Sequence, residues 1–116
     1  MARRVRRHAD FLGHVGRQLA WLARNRETSW IDRFRIDLIR VTGLLDRYPA
    51  AGALLERQGA TALRRVILAS TPYVAWYVYD EERADGEVIL VRLFHTQQRR
   101  PAPDPSRWLS RTGDPR

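Results

Sequence analysis

Five arginines and one histidine in the second half of the chain have side chains suited to handling an anion. Arg64 and Arg65 open one apolar run, while Arg92, His95, Arg99 and Arg100 close another. A guanidinium fork gives paired hydrogen bonds to phosphate or carboxylate. An imidazole, which ionises near neutrality, serves beside such cations either as a general base or as a partner-binding group. Without a base in reach, the same residues only bind. His8, Asp10 and His14 carry metal-ligating atoms, but spacings of two, four and six do not bring all three to one helical face, so neither a metal nor any other cofactor is expected. The chain has no cysteine, which excludes disulfides, thiolate zinc sites and thiol nucleophiles and fits a cytoplasmic location.

At 116 residues and 44% hydrophobic, the chain suits one compact domain. Its formal charge is +8, and all 21 basic residues are arginine. Codon usage in a GC-rich genome accounts for the missing lysine as well as any function does, but not for the net charge. Such a domain attracts polyanions and acidic proteins alike. His14 and Arg17 interrupt "FLGHVGRQLAWL", so neither a signal peptide nor a membrane span is expected.

The elements that must position these groups follow from changes of period. "ARRVRR" holds Val5 as its one apolar anchor and reads as a short edge strand or a disordered arm. From His8 to about Asn25, Phe11, Leu12, Val15, Leu19 and Leu22 recur at helical spacing. Ser29, with Asp32 three residues on, reads as the N-cap of a second helix whose stripe is Ile31, Phe34, Leu38, Val41, Leu45 and Tyr48. Pro49 ends it. "RYPAAGALLERQGAT" mixes apolar and turn residues and reads as a packed loop, after which "ALRRVILAS", "YVAWYVYD" and "EVILVRLFH" alternate as three strands of an antiparallel meander. The turn "DEERADGE" reads as a solvated acidic tip. Residues 99–116 form a basic, proline-rich tail beyond a domain of residues 1–98, and Asp104 before Pro105 is placed to cap one helical turn carrying Trp108 and Leu109.

A helix hairpin and a meander predict a two-layer α+β sandwich, β-α-α-β-β-β, with one sheet face under the helices. The strand at residues 73–80 is apolar or aromatic on both sides, so the second face must also be covered. Either a partner meets Tyr77 and Tyr79 on an open aromatic surface, or the tail folds back and Trp108 anchors it. Trp21 and Trp30 flank the helix hairpin as core or rim.

The order of elements, together with "RYPAAG", "LRRVILASTPYVAWYVYD" and "GEVILVRLFHTQQRR", resembles the ParE branch of the RelE/ParE superfamily, the toxins of type II toxin–antitoxin pairs. The resemblance runs from about His8 to Arg100. It is carried by Tyr48-Pro49 with Gly52, by Arg64 or Arg65, by Pro72-Tyr73 with Trp76-Tyr77, and by Arg92-Leu93-Phe94-His95 with Arg99. It implies an N-terminal strand, a helix hairpin and a twisted antiparallel sheet. It also implies a cognate acidic antitoxin, which a charge of +8 suits.

RelE-like members cut messenger RNA on the ribosome; for that activity the candidates here are Arg65, His95 and Arg99. Their pattern has an arginine after the tyrosine that opens the middle strand, where this chain has Val74. It also has a tail tyrosine, whereas Gln97 and Thr96 follow His95 here. ParE-like members inhibit DNA gyrase by binding and need no catalytic set, so the resemblance implies gyrase inhibition ahead of ribonuclease activity, with a non-toxic binding partner as a third reading. Residues expected to meet a target or antitoxin are Arg64, Arg65, Tyr77, Tyr79, Arg92, His95, Arg99, Arg100 and Trp108.

Overall fold

The structure is a computed structural model that describes residues 5–83 and 86–109. In chain order its elements are β1 (Val5–Arg7), α1 (Ala9–Asn25), α2 (Thr28–Arg47), β2 (Ala53–Gln58), β3 (Thr61–Ile67), β4 (Tyr73–Asp80), β5 (Val88–His95) and α3 (Ser106–Leu109). Arg3 and Arg4 of the N-terminal arm, Asp85 of the acidic turn and the tail from residue 110 onward lie outside the described residues. None of the described helices is long and apolar enough to cross a membrane.

One five-stranded mixed sheet runs in the order β1-β5-β4-β3-β2. Val5, the lone apolar residue of its segment, draws β1 onto β5 in parallel register with Val88; β2 to β5 form an antiparallel meander. The strand β2 replaces the expected packed loop. Its composition is poor in β-branched residues and five of its six positions are exposed, so side-chain pattern does not announce it. What makes it a strand is backbone pairing with β3 across a tight turn at Gly59, whose φ of +58° suits glycine.

His8 caps α1, its Nδ1 accepting the Asp10 backbone N–H at 3.0 Å. The expected cap at Ser29 is not used. Only Arg26 and Glu27 separate the helices, so α2 restarts at Thr28 and Ser29 falls within its first turn, with no side-chain cap at Glu27. The α2 stripe delivers Phe34, Val41 and Leu45 to the core, each side chain contributing about 2 kcal/mol by burial. Tyr48, predicted to extend that stripe, caps the helix end and is 64% exposed. Leu12, predicted core, is 52% exposed beside the helix–helix groove.

Both sheet faces are apolar and both are covered. Tyr73, Ala75, Tyr77 and Tyr79 of β4 pack under α1 and α2 with Phe11, Phe34, Leu45 and Leu90. Val74, Trp76 and Val78 face the other way, with Leu63, Ile89, Val91 and Phe94, and Trp108 of the returning tail joins them. The fold-back alternative is therefore the one observed; no bare aromatic face remains on β4. Asp104 caps the tail's short helix as expected, its Oδ1 accepting from the backbone N–H and hydroxyl of Ser106.

In the acidic turn Glu82 and Arg83 are exposed, whereas the acids at its base are paired. Glu81 accepts from Arg57 Nε at 2.7 Å and from Arg64 at 3.1 Å, and Glu87 accepts from Arg6 at 3.1 Å. The acids at the turn's base are tied to neighbouring strands by arginines the sequence places far away in the chain.

Candidate functional site

Several residues that carry the family resemblance converge on one turn. The Tyr77 hydroxyl donates to the Pro49 carbonyl at 2.7 Å and accepts the Gly52 N–H at 2.9 Å, while Arg64 donates to the Gly52 carbonyl at 2.8 Å. A side chain at residue 52 has no room: its Cβ would lie 2.2 Å from the Arg65 carbonyl oxygen and 2.8 Å from the Tyr77 hydroxyl. Burial pushes the Tyr77 hydroxyl up to about 12, so it remains a donor across the physiological range. Arg64 is desolvated, yet its bond to Glu81 holds its proton more firmly than usual. Arg64 and Tyr77 thus fasten the chain after α2 to the middle of the sheet. Tyr79 is buried on the same face, its ring stacked 6.1 Å from Tyr77.

Arg65 points to the opposite face, since side chains alternate along β3 and Leu63 lies there. In register it pairs with Trp76, which pairs in turn with Arg92, so a row of Arg65, Trp76 and Arg92 crosses three strands beneath the tail. The Arg92 guanidinium lies 5.6 Å from the Trp108 ring centroid. Burial first, and then Arg107, lower its hold on the proton. The Nε of Arg92 and Nε1 of Trp76 are buried without a hydrogen-bond partner. This half-buried row is cationic and incompletely satisfied.

A latch from the start of α1 keeps the tail over that row. Asp10 Oδ2 accepts from Trp108 Nε1 at 3.3 Å and from Arg107 at 3.2 Å. Burial pushes the Asp10 carboxyl up, but the bond from Trp108, with His8 and Arg107, outweighs it and holds the group below its usual range. Gln58 adds a bond to Asp104 at 3.3 Å.

His95 lies on the helix side of the sheet, edge-on to Tyr73 at 5.6 Å, with its Nδ1 accepting the Gln97 N–H at 3.2 Å. Arg65 and His95 therefore serve opposite faces. Arg99 is exposed in the tail, and Arg100 donates to the Thr96 carbonyl at 3.4 Å. Arg65, His95 and Arg99 are not gathered round one point. Nor are the three metal-ligating candidates: His8 and Asp10 are engaged in capping and latching, while His14 Nδ1 accepts the Leu93 N–H at 3.1 Å. Among the described residues no cluster of three ligating side chains exists.

A groove of about 320 Å³ between the two long helices is lined by Phe11, Leu12, Val15, Leu38 and Ile39, with Arg7 and Arg35 among its walls. Ile39 is 69% exposed. Sequence patterning missed this site and the Asp10 latch. Ile39 was legible only as an apolar residue off the α2 stripe, and Asp10 stood out only as one of three metal-ligating side chains that do not share a helical face. No protein-family model matches the chain, and no curated protein is significantly similar to it.

Proposed function

We propose that this chain is the toxin of a type II toxin–antitoxin pair, of the ParE-like kind within the RelE/ParE superfamily, and that it inhibits DNA gyrase by binding rather than by chemistry. The observation that carries the reading is the convergence of Pro49, Gly52, Arg64 and Tyr77. Residues on which the resemblance rests meet in one fastening, which supports the reading without depending on any catalytic group. Binding is favoured over catalysis because His95 and Arg65 lie on opposite sheet faces, so His95 does not reach a phosphate held by Arg65.

An acidic antitoxin segment suits the groove between α1 and α2. Leu12 and Ile39 offer apolar anchorage, and Arg7 and Arg35 offer charge complementarity. Ribosome-dependent cleavage of messenger RNA is the second reading, because the half-buried row of Arg65, Trp76 and Arg92 has unpartnered donors at Arg92 Nε and Trp76 Nε1. The test is gyrase supercoiling with the purified chain. Supercoiling should stall, and the product of the neighbouring reading frame should relieve the block; Leu12→Asp with Ile39→Asp should weaken the relief and spare the inhibition. If gyrase is untouched at concentrations that arrest growth, the target is wrong.

A further inference from the structure

The tip of the helix hairpin carries a second concentration of chemistry, away from the helix groove and the row of Arg65, Trp76 and Arg92. The Arg26 guanidinium lies 5.4 Å from the Trp21 ring centroid and 5.8 Å from that of Trp30, and Arg33 lies 5.2 Å from the same Trp30 ring. Rings and cations alternate along this edge. Trp21 nevertheless stays 42% exposed. Beside it, a cleft of about 600 Å³ opens between α1 and the end of the sheet, lined in part by Arg17, Trp21, Arg24, Tyr73 and His95.

Arg17 and Arg24 are two helical turns apart and therefore share a side of α1, with Trp21 between them. No carboxylate lines the cleft. Among the described residues none of Arg17, Arg24, Arg26 and Arg33 forms an ion pair. Because His95 Nδ1 accepts a backbone N–H, the neutral ring carries its proton on Nε2, a donor rather than an acceptor. The cleft therefore presents cations, a donor and a flat ring, with no opposing charge.

We propose that this cleft and hairpin tip bind single-stranded nucleic acid, with a base stacked on Trp21 and backbone phosphates held by Arg17 and Arg24. An acidic peptide satisfies the arginines through its carboxylates, which offer no flat surface to the part of the Trp21 indole left exposed beside Arg26. In a duplex the base faces are already stacked. A single strand supplies anions and free base faces together, which is the pairing of a basic track with an aromatic platform. This site is independent of the gyrase reading.

Anisotropy of a labelled twelve-nucleotide oligothymidylate, titrated with the full chain at two salt concentrations, tests it. Trp21→Ala should weaken binding about tenfold, while Trp21→Phe should retain most of it. Arg17→Glu with Arg24→Glu should lose about tenfold more affinity than Arg40→Glu with Arg47→Glu, which makes the same change of net charge on exposed α2 positions, and should lower the salt slope by about 1.4. Thermal melts confirm that each variant folds. The proposal is overturned if the wild type does not bind, if Trp21→Ala binds as the wild type does, if both charge pairs lose affinity equally, or if polyglutamate of equal charge competes as well as unlabelled oligonucleotide.

Discussion

Asp37 of α2 joins the helix layer to the loop before β4. It is buried, and its carboxylate accepts from the Ser70 N–H at 3.1 Å, the Ser70 hydroxyl at 2.8 Å and the Thr71 hydroxyl. Asp37→Ala leaves those donors unmatched and should cost about 3 kcal/mol in urea unfolding. Burial pushes the carboxyl up, but the bonds from Thr71 and Ser70 prevail and hold it below 3.8 in the folded state. Its stabilisation is therefore complete above that value and lost as pH falls through the folded one. His14 acts nearer neutrality. Burial, then Arg17 and Arg92, lower its proton affinity against the smaller opposing effect of Asp10, and its neutral ring accepts the Leu93 N–H. Between the folded value and 6.5 the unfolded chain binds more protons, so stability is full above 6.5 and declines below it. The melting temperature should fall more steeply between pH 7.5 and 5.5 in the wild type than in His14→Gln, which keeps an acceptor but does not titrate. Equal slopes would contradict this account. Neither role was legible in the sequence: Asp37 sits in the α2 stripe as a lone acid, and its partners lie more than thirty positions away.

At the scale of elements, periodicity exposed the long helices and the three interior strands, because each buries a stripe or a face that composition records. It did not expose β2. That strand is held by its backbone, and its outward residues Glu56, Arg57 and Gln58 read as loop. The tail was ambiguous for a different reason: a segment rich in proline and arginine has no period, and only Trp108 marked it as something that returns to a core. In the structure Trp108 is 2% exposed and meets Trp76 edge-on at 6.5 Å. Trp108→Ala should cost about 3 kcal/mol or more. Deleting residues 99–116 should uncover Trp76, Val78, Ile89, Val91 and Phe94 together, and the shortened chain should self-associate in sedimentation. A monomer of unchanged stability would show that the tail does not cover this face in solution.

The whole molecule divides its surfaces. One sheet face is closed by paired helices, the other by the tail and its Asp10 latch, and the outward chemistry is left to the helix groove and the hairpin tip. The candidate site was legible only in part. The residues expected to meet a partner were visible, but not what they touch: Arg64 and Tyr77 fasten a turn, Trp108 is core, and His95 lies on the face opposite Arg65. A net charge of +8 and accessible apolar anchors fit a protein that acts by association. Whether action needs chemistry is best measured by mapping the integrity of ribosome-bound messenger RNA in cells during expression of this chain. Binding without cleavage predicts growth arrest with transcripts intact. Unimpaired growth, or arrest accompanied by discrete cuts within translated messages, would contradict it.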